Sequence, residues 1–351
     1  MSVFGGTVHF INFAHQTFRW DSEASIKAHV HCIIVGFSYH NNQRAYLFDM
    51  AGNCKTVGNI NQYLTDAPTV MIESRSTPLC GIPAIRFGSM PRDGGGFILS
   101  EEEKDRLIRN EPLAEKWIRL YLGAEEFLKN KKRYCLWLLG ASPAEIAKCP
   151  TVKERIQRVR DFRLDSKAAG TRRFAETPML FCQMAQPESG SYIAVPKTSS
   201  ERRRYIPLGF LDSSTIASDL LFLIPDASLY HFGILTSNVH MAWMRTVCGR
   251  LKSDYRYSKD IVYNNFPWPT PTEAQKAKIE QTAQAILDAR ALYPECSLAD
   301  LYDEVTMPVE LRKAHQQNDK AVMEAYGMPV KGTTEAACVA ELMRRYQELT
   351  K

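Results

Sequence analysis

Tyr263-Asn264-Asn265-Phe266-Pro267-Trp268-Pro269, preceded by Gly249-Arg250-Leu251-Lys252-Ser253-Asp254-Tyr255-Arg256-Tyr257-Ser258, is the stretch on which the reading of this chain turns. Basic, acidic and aromatic residues alternate through the earlier segment, and two prolines with a tryptophan close the later one. Alternation at period two predicts an extended strand with Lys252, Asp254 and Arg256 on one face. A cation and an anion two residues apart match the two halves of a G·C pair. Lysine suits the guanine O6 and N7 acceptors, and aspartate accepts from the cytosine amino group. The plainer expectation for the same residues is an ion pair on a solvated strand.

Charge around this stretch separates the two expectations. Lys153 to Arg173 carries eight basic and three acidic residues, Lys197 to Arg204 nets +3, and Arg245 to Lys259 nets +4. The whole chain nets only +5, so the remainder is acidic. One such cluster is an ordinary solvated face; three within the middle of one chain point to a surface that meets phosphates. Arg202, Arg203, Arg204 and Arg250 are the candidate phosphate-binding residues, with the Lys153–Arg173 segment a weaker one. Phe266, Pro267 and Trp268 are expected to form a structural seam, since two prolines fix the backbone there.

Beyond Pro269 the composition changes. Residues 272–291, 308–325 and 334–350 have helical pattern, and the segment from Thr270 holds thirteen acidic and ten basic residues. It is expected to be a separate all-α module without a phosphate-facing surface. Upstream, residues 7–13, 28–38 and 43–50 predict strands, with a turn at Gly52-Asn53. Two or three strands cannot bury two faces, so they predict the end of a sheet whose other strands lie elsewhere, and hence a piece of a longer protein. Between these ends, Ser100 with Glu103 predicts a capping box opening a helical stretch that runs with breaks to about residue 130. Residues 133–139 predict a buried strand, 151–166 a basic helix, 178–184, 191–196, 204–211 and 220–224 short strands, and 229–247 one helix. The fold class is therefore α+β: a mixed α/β region with short strands and flanking helices, then an all-α module. The expected domains are 1–65, 66–269 and 270–351.

Several chemistries find no support in the sequence. No Asp/Asn-Pro-Pro-Tyr, Gly-x-Gly-x-x-Gly, Walker loop or Gly-x-Ser-x-Gly occurs. Nine scattered cysteines without Cys-x-x-Cys predict free thiols in a reducing compartment and no zinc site. His29 and His31 share a strand face without a third ligand. No apolar run reaches the length of a membrane span, and no signal peptide opens the chain. No catalytic residue and no metal ligand is assigned.

Two sets of residues resemble a known family. Phe13-Ala14-His15-Gln16-Thr17-Phe18-Arg19-Trp20, with His31-Cys32-Ile33-Ile34-Val35-Gly36-Phe37, resembles the last strands of an adenine-specific DNA methyltransferase domain. Residues 87–95 (Phe-Gly-Ser-Met-Pro-Arg-Asp-Gly-Gly), 199–207 (Ser-Ser-Glu-Arg-Arg-Arg-Tyr-Ile-Pro) and 263–269 resemble the target-recognition domain of MmeI-type single-chain restriction–modification enzymes. The resemblance implies double-stranded DNA as partner, together with an N-terminal methyltransferase half, and a place in the bacterial cytoplasm. It implies S-adenosylmethionine as cofactor of the full-length parent, with none in this segment. It also implies base-edge roles for Lys252 and Asp254, with Arg256 next along the strand, and it leaves Arg19 and Trp20 either near a flipped adenine or buried in the sheet. The alternatives are an RNA-binding adaptor, which would show aromatic stacking platforms, and a self-sufficient methyltransferase with a cryptic cofactor site.

Overall fold

A computed structural model describes residues 10–21, 29–40, 44–49 and 51–351, with the backbone alone for 19–21 and 29–31. The side chains of Arg19, Trp20, His29 and His31 therefore lie outside the described residues, as does the expected start of the first strand before residue 10. The chain divides into two compact units. One comprises residues 1–82, 237–279 and 317–351, and the other 83–236 and 280–316.

In the first unit, strands Phe10–Asp21, His29–Ser38, Ala45–Phe48 and Cys54–Val57 form a sheet. Phe10–Asp21 lies between His29–Ser38, antiparallel to it, and Ala45–Phe48, parallel to it. Ala14, Ala45, Val57 and Ile60 pack on one face with Val35 and Leu47. Phe13 crosses directly over Gly36, where any Cβ would meet its ring. This unit also contains helices. Asn238–Val247 packs with Glu335–Leu349, and Trp243 and Tyr346 face each other at 6.0 Å.

The second unit holds two four-stranded sheets. One runs in the order Gly209–Asp212, Ser191–Pro196, Leu221–Pro225, Arg86–Phe87, antiparallel throughout. Its central strands are apolar at almost every position, as expected for strands buried on both faces. The other orders Ile216–Ala217, Ile118–Leu122, Tyr134–Leu136 and Ile98–Leu99. The Pro150–Leu164 helix lays Val152 and Val159 against this sheet's core.

Local signals hold where capping chemistry is explicit. Ser100 accepts from the Glu103 amide and the Glu103 carboxylate accepts from the Ser100 amide, opening the Glu101–Asn110 helix. The three C-terminal helices, Glu273–Ala291, Val309–Ala325 and Glu335–Leu349, lie where their pattern puts them. Four expectations fail. Ile118–Leu122 is a strand inside the stretch expected to be helical, because Ile-Arg-Leu-Tyr-Leu alternates and pairs with Tyr134–Leu136. The expected helix 229–247 breaks in two after Leu235, since Ser237 caps a new helix by accepting from the His240 amide. Residues 178–184 form only an isolated bridge, Met90 with Gln183. Of 204–211, only the end joins a strand, Gly209–Asp212.

Candidate nucleic-acid interface

The segment expected to be one strand is a hairpin. Gly249–Leu251 and Asp254–Arg256 pair antiparallel, with Leu251 opposite Asp254 and Arg250 opposite Tyr255. Lys252 and Ser253 make the two-residue turn, and Lys252 sits at φ +57°, in the left-handed region that β-carbon-bearing residues avoid. This corrects the expectation that Lys252, Asp254 and Arg256 share a strand face. Asp254 and Arg256 do, two residues apart, but Lys252 lies at the tip. No glycine or asparagine marks the turn, and hairpin pairing overrides the apparent period-two run.

The hairpin has a built base and an open tip. Tyr255 and Tyr257 are buried, whereas Arg250, Leu251, Lys252 and Arg256 are exposed and Asp254 is half-buried. The Arg250 guanidinium stacks on the Tyr255 ring at 4.0 Å and donates to the Ser253 carbonyl at 3.0 Å, so it braces the turn from within. The Tyr257 hydroxyl lies 2.9 Å from His240 Nε2. Burial raises the Tyr257 pKa well above the ordinary phenol value and drives that of His240 down to about 3, so both are neutral at pH 7.

Tyr263–Pro269 is the foundation of this unit. Tyr263, Asn264, Asn265 and Phe266 are essentially inaccessible to solvent, and Trp268 is nearly so. Asn265 Nδ2 donates to the carbonyls of Glu73, Asp260 and Ile261 at 2.9, 2.8 and 3.2 Å. Asn264 Nδ2 donates to Arg75 O at 2.7 Å, and the Asn264 carbonyl accepts from the Leu79 amide. Tyr326 donates its hydroxyl proton to Pro267 O at 2.8 Å. The two asparagines thus stitch residues 73–79 to the segment that follows the hairpin, and the expected structural seam is what the geometry shows.

The triple arginine behaves as adjacent side chains must. Arg202 and Arg204 are exposed and Arg203 is half-buried, with the Arg204 guanidinium over the Tyr205 ring at 5.6 Å. The Lys153–Arg173 segment is divided in role. Arg155 and Arg163 are buried: Arg155 pairs with Glu103 at 2.8 Å and donates to Gly96 O at 3.1 Å. Charge clustering alone does not separate these two from their exposed neighbours.

Comparison with known proteins agrees with the sequence resemblance. Residues 66–270 match the target recognition domain of MmeI, 271–351 the MmeI C-terminal domain and 2–49 the MmeI DNA-methyltransferase domain. The chain is 39% identical over 342 residues to DNA methyltransferase A of Bacillus subtilis (strain 168), an alignment that covers 97% of this chain and 38% of that protein. It is similar, with a TM-score of 0.89 and 46% identity, to the Type IIL restriction-modification enzyme MmeI in a structure solved in complex with DNA, over 97% of this chain and 46% of the other. The chain therefore spans less than half the length of these relatives. Among the described residues no helix is long and apolar enough to cross a membrane. With the target-recognition match covering more than half of its residues, the chain belongs to the MmeI family.

Proposed function

We propose that this chain reads duplex DNA sequence for an S-adenosylmethionine-dependent adenine-N6 methyltransferase of a restriction–modification system. The observation that carries the reading is the 249–256 hairpin. A β-hairpin can enter the major groove of B-DNA by its tip, and this one offers Lys252 at its tip and Asp254 and Arg256 on one face of its second strand. Lys252 donates to guanine O6 and N7, Asp254 accepts from the paired cytosine, and Arg256 contacts the next step. Arg202, Arg204 and, in part, Arg203 grip phosphates. Arg250 contributes to the backbone grip with those donors that Ser253 does not engage.

Methyl transfer belongs to the remainder of the enzyme. The described residues of the methyltransferase segment present Ala14, Val35 and Leu47 on one sheet face and Phe13, Ile34 and Tyr46 on the other. These apolar faces do not make a site for S-adenosylmethionine, and no chemical step is assigned to them. The N-terminal methyltransferase half is the partner that supplies cofactor and catalysis, and a fused nuclease is the corresponding expectation for cleavage.

The test is selection from a randomised duplex library by the 351-residue chain, repeated with Lys252→Glu/Asp254→Arg. The wild type should enrich a motif with a G·C pair at one position, and the double variant should invert that pair alone. An unchanged motif in the variant sinks the assignment of Lys252 and Asp254. Absence of any duplex affinity in the wild type removes the DNA reading for this segment.

A further inference from the structure

Arg163 is fully buried, yet among the described residues no carboxylate forms an ion pair with it. Its five N–H donors instead meet five backbone carbonyls. Nε donates to Arg92 O at 3.1 Å, Nη1 to Phe174 O at 2.8 Å and Thr177 O at 3.1 Å, and Nη2 to Pro91 O at 2.8 Å and Leu180 O at 2.7 Å. A guanidinium has five such donors, so none is left over. Burial pulls its pKa below the ordinary arginine value, the signature of an incompletely compensated charge. Burying an unpaired cation is costly, and an apolar side chain would fill the space at less expense. What the guanidinium does that an apolar side chain cannot is clamp two distant backbone segments, 91–92 and 174–180, to one another.

The clamp fixes the conformation of an exposed arginine. Arg92 sits at φ +45°, outside the regions open to most residues, and its carbonyl is one of the five that Arg163 holds. Its side chain is anchored in turn, with Nη1 donating to Thr171 Oγ1 at 2.9 Å. Thr171 precedes Arg172 and Arg173, both exposed, and Arg172 Nη1 donates to the Ser166 and Lys167 carbonyls at 2.7 and 2.9 Å. Arg92 is thus brought beside the Lys167–Arg173 turn from 79 residues away in the chain. Four exposed cations, Arg92, Lys167, Arg172 and Arg173, meet there, flanked by the exposed carboxylates of Asp165 and Glu176. A solvated charge run has no need of such scaffolding. Anchored guanidinium groups lose little conformational entropy on binding, which favours a ligand that presents fixed anionic oxygens.

We propose that Arg92, Arg172 and Arg173, held in place by Arg163, form a second phosphate contact to the DNA backbone, separate from the base-reading hairpin and the Arg202–Arg204 grip. The proposal rests on the DNA reading given above. Arg163 is a positioning residue here, since its donors are all engaged inside the protein. The contact carries no sequence information, because phosphates are alike at every step. Lys167, exposed in the same turn, adds to the local potential.

The experiment is a titration of the 351-residue chain with its library-selected duplex across a salt series, for the wild type and for Arg92→Ala/Arg172→Ala/Arg173→Ala. Removing one phosphate-binding cation should lower the slope of log affinity against log salt by about 0.9, so the triple variant should show a slope smaller by about 2 to 3. The selected motif and the melting temperature should stay as in the wild type. Arg106→Ala/Arg109→Ala/Lys148→Ala, exposed cations of the same unit that lie outside the charged segments, should leave the slope unchanged. An unchanged slope in the triple variant overturns the proposal, and so does an equal reduction in the control, which would mean diffuse attraction. A changed motif with an unchanged slope also overturns it. If the wild type fails to bind any duplex, the DNA reading falls and the patch falls with it; if the wild type binds with salt dependence that the triple variant retains, only the patch falls. Arg163→Met would add a fourth measurement where it folds, with a slope reduced although its side chain cannot reach DNA.

Discussion

Tyr205 and His315 stack with ring centroids 4.1 Å apart and planes 17° from parallel. The stack joins the residue that follows the triple arginine to the Val309–Ala325 helix. His315 Nε2 lies 2.7 Å from the Tyr302 hydroxyl, which also accepts from Arg290 Nε at 2.9 Å, and Arg290 Nη1 donates to Leu208 O at 2.6 Å. The segment 280–316 thereby holds the 204–208 strand approach from behind. Helices that look independent in sequence have a task in the second unit: they fix the backbone from which Arg202 and Arg204 project.

Tyr302→Phe tests that coupling. The substitution keeps the ring and removes the oxygen that Arg290 and His315 share, leaving buried donors unpaired. The expected cost is about 1–3 kcal/mol in a urea melt. Duplex affinity should fall while the selected motif stays the same, because the arginines that this network supports grip phosphates, which carry no sequence information. A variant as stable as the wild type would show that the shared oxygen contributes nothing net.

Two histidines buried among the described residues, His240 and His315, set an acid limit on stability. Burial, aided by the positive charges of Arg290 and Arg204, holds the His315 pKa well below the ordinary imidazole value, and burial takes His240 down to about 3. In the unfolded chain both titrate near about 6.5. Below that pH the unfolded state binds protons that the folded state refuses, so stability falls as pH falls. Each histidine contributes about 1.4 kcal/mol per pH unit until its folded pKa is reached. Above about pH 7 the effect vanishes. Urea melts at a series of pH values between about 7.5 and about 5 should show the wild-type slope and a shallower one in His240→Gln, by about one proton. Equal slopes would mean that His240 protonates in the folded chain.

Lys252→Gly separates strain from reading. At φ +57° a glycine escapes the clash that a β-carbon meets, worth roughly 1 kcal/mol. The variant hairpin should be at least as stable as the wild type by thermal melting. It should nonetheless lose discrimination at one G·C position, by about 1–3 kcal/mol. If discrimination survives in a well-folded Lys252→Gly chain, the guanine contact belongs to another residue.

Much of the fold is legible in the sequence because its signals are local. The Ser100–Glu103 box and the three C-terminal helices need only capping and periodicity, and the proline–tryptophan seam needs only backbone restriction. The hairpin is not legible, since Lys252-Ser253 is an unusual turn pair and only cross-strand pairing makes it one. Arg163 is hidden for a related reason. In sequence it is one of eight basic residues in a charged segment, and its burial depends on carbonyls from residues 91–92, which no local pattern connects to it. The candidate site is thus visible as composition and as motif, while its geometry comes from contacts distant in the chain.

Asn265 offers the sharpest test of the seam. Its amide nitrogen donates to three carbonyls, of Glu73, Asp260 and Ile261, and the residue is inaccessible to solvent. Asn265→Asp preserves shape and replaces that nitrogen with an oxygen. At neutral pH a carboxylate oxygen would face three carbonyl oxygens in a dry interior, against one long contact from Arg75 Nε, 3.4 Å from the other side-chain oxygen, so the folded state should raise its pKa above the ordinary value. The unfolded state releases the proton near about pH 4, so the variant loses stability as pH rises from there. It regains stability as pH falls and the acid can again donate to a carbonyl. The expected deficit at pH 7 is about 3–5 kcal/mol, narrowing by about 1.4 kcal/mol per pH unit toward about pH 5. Urea melts of wild type and variant at both pH values measure it as a difference, in which the histidine effect common to both chains cancels. A deficit that does not narrow would mean that Arg75, whose Nε lies 3.4 Å from Asn265 Oδ1, holds the carboxylate charged.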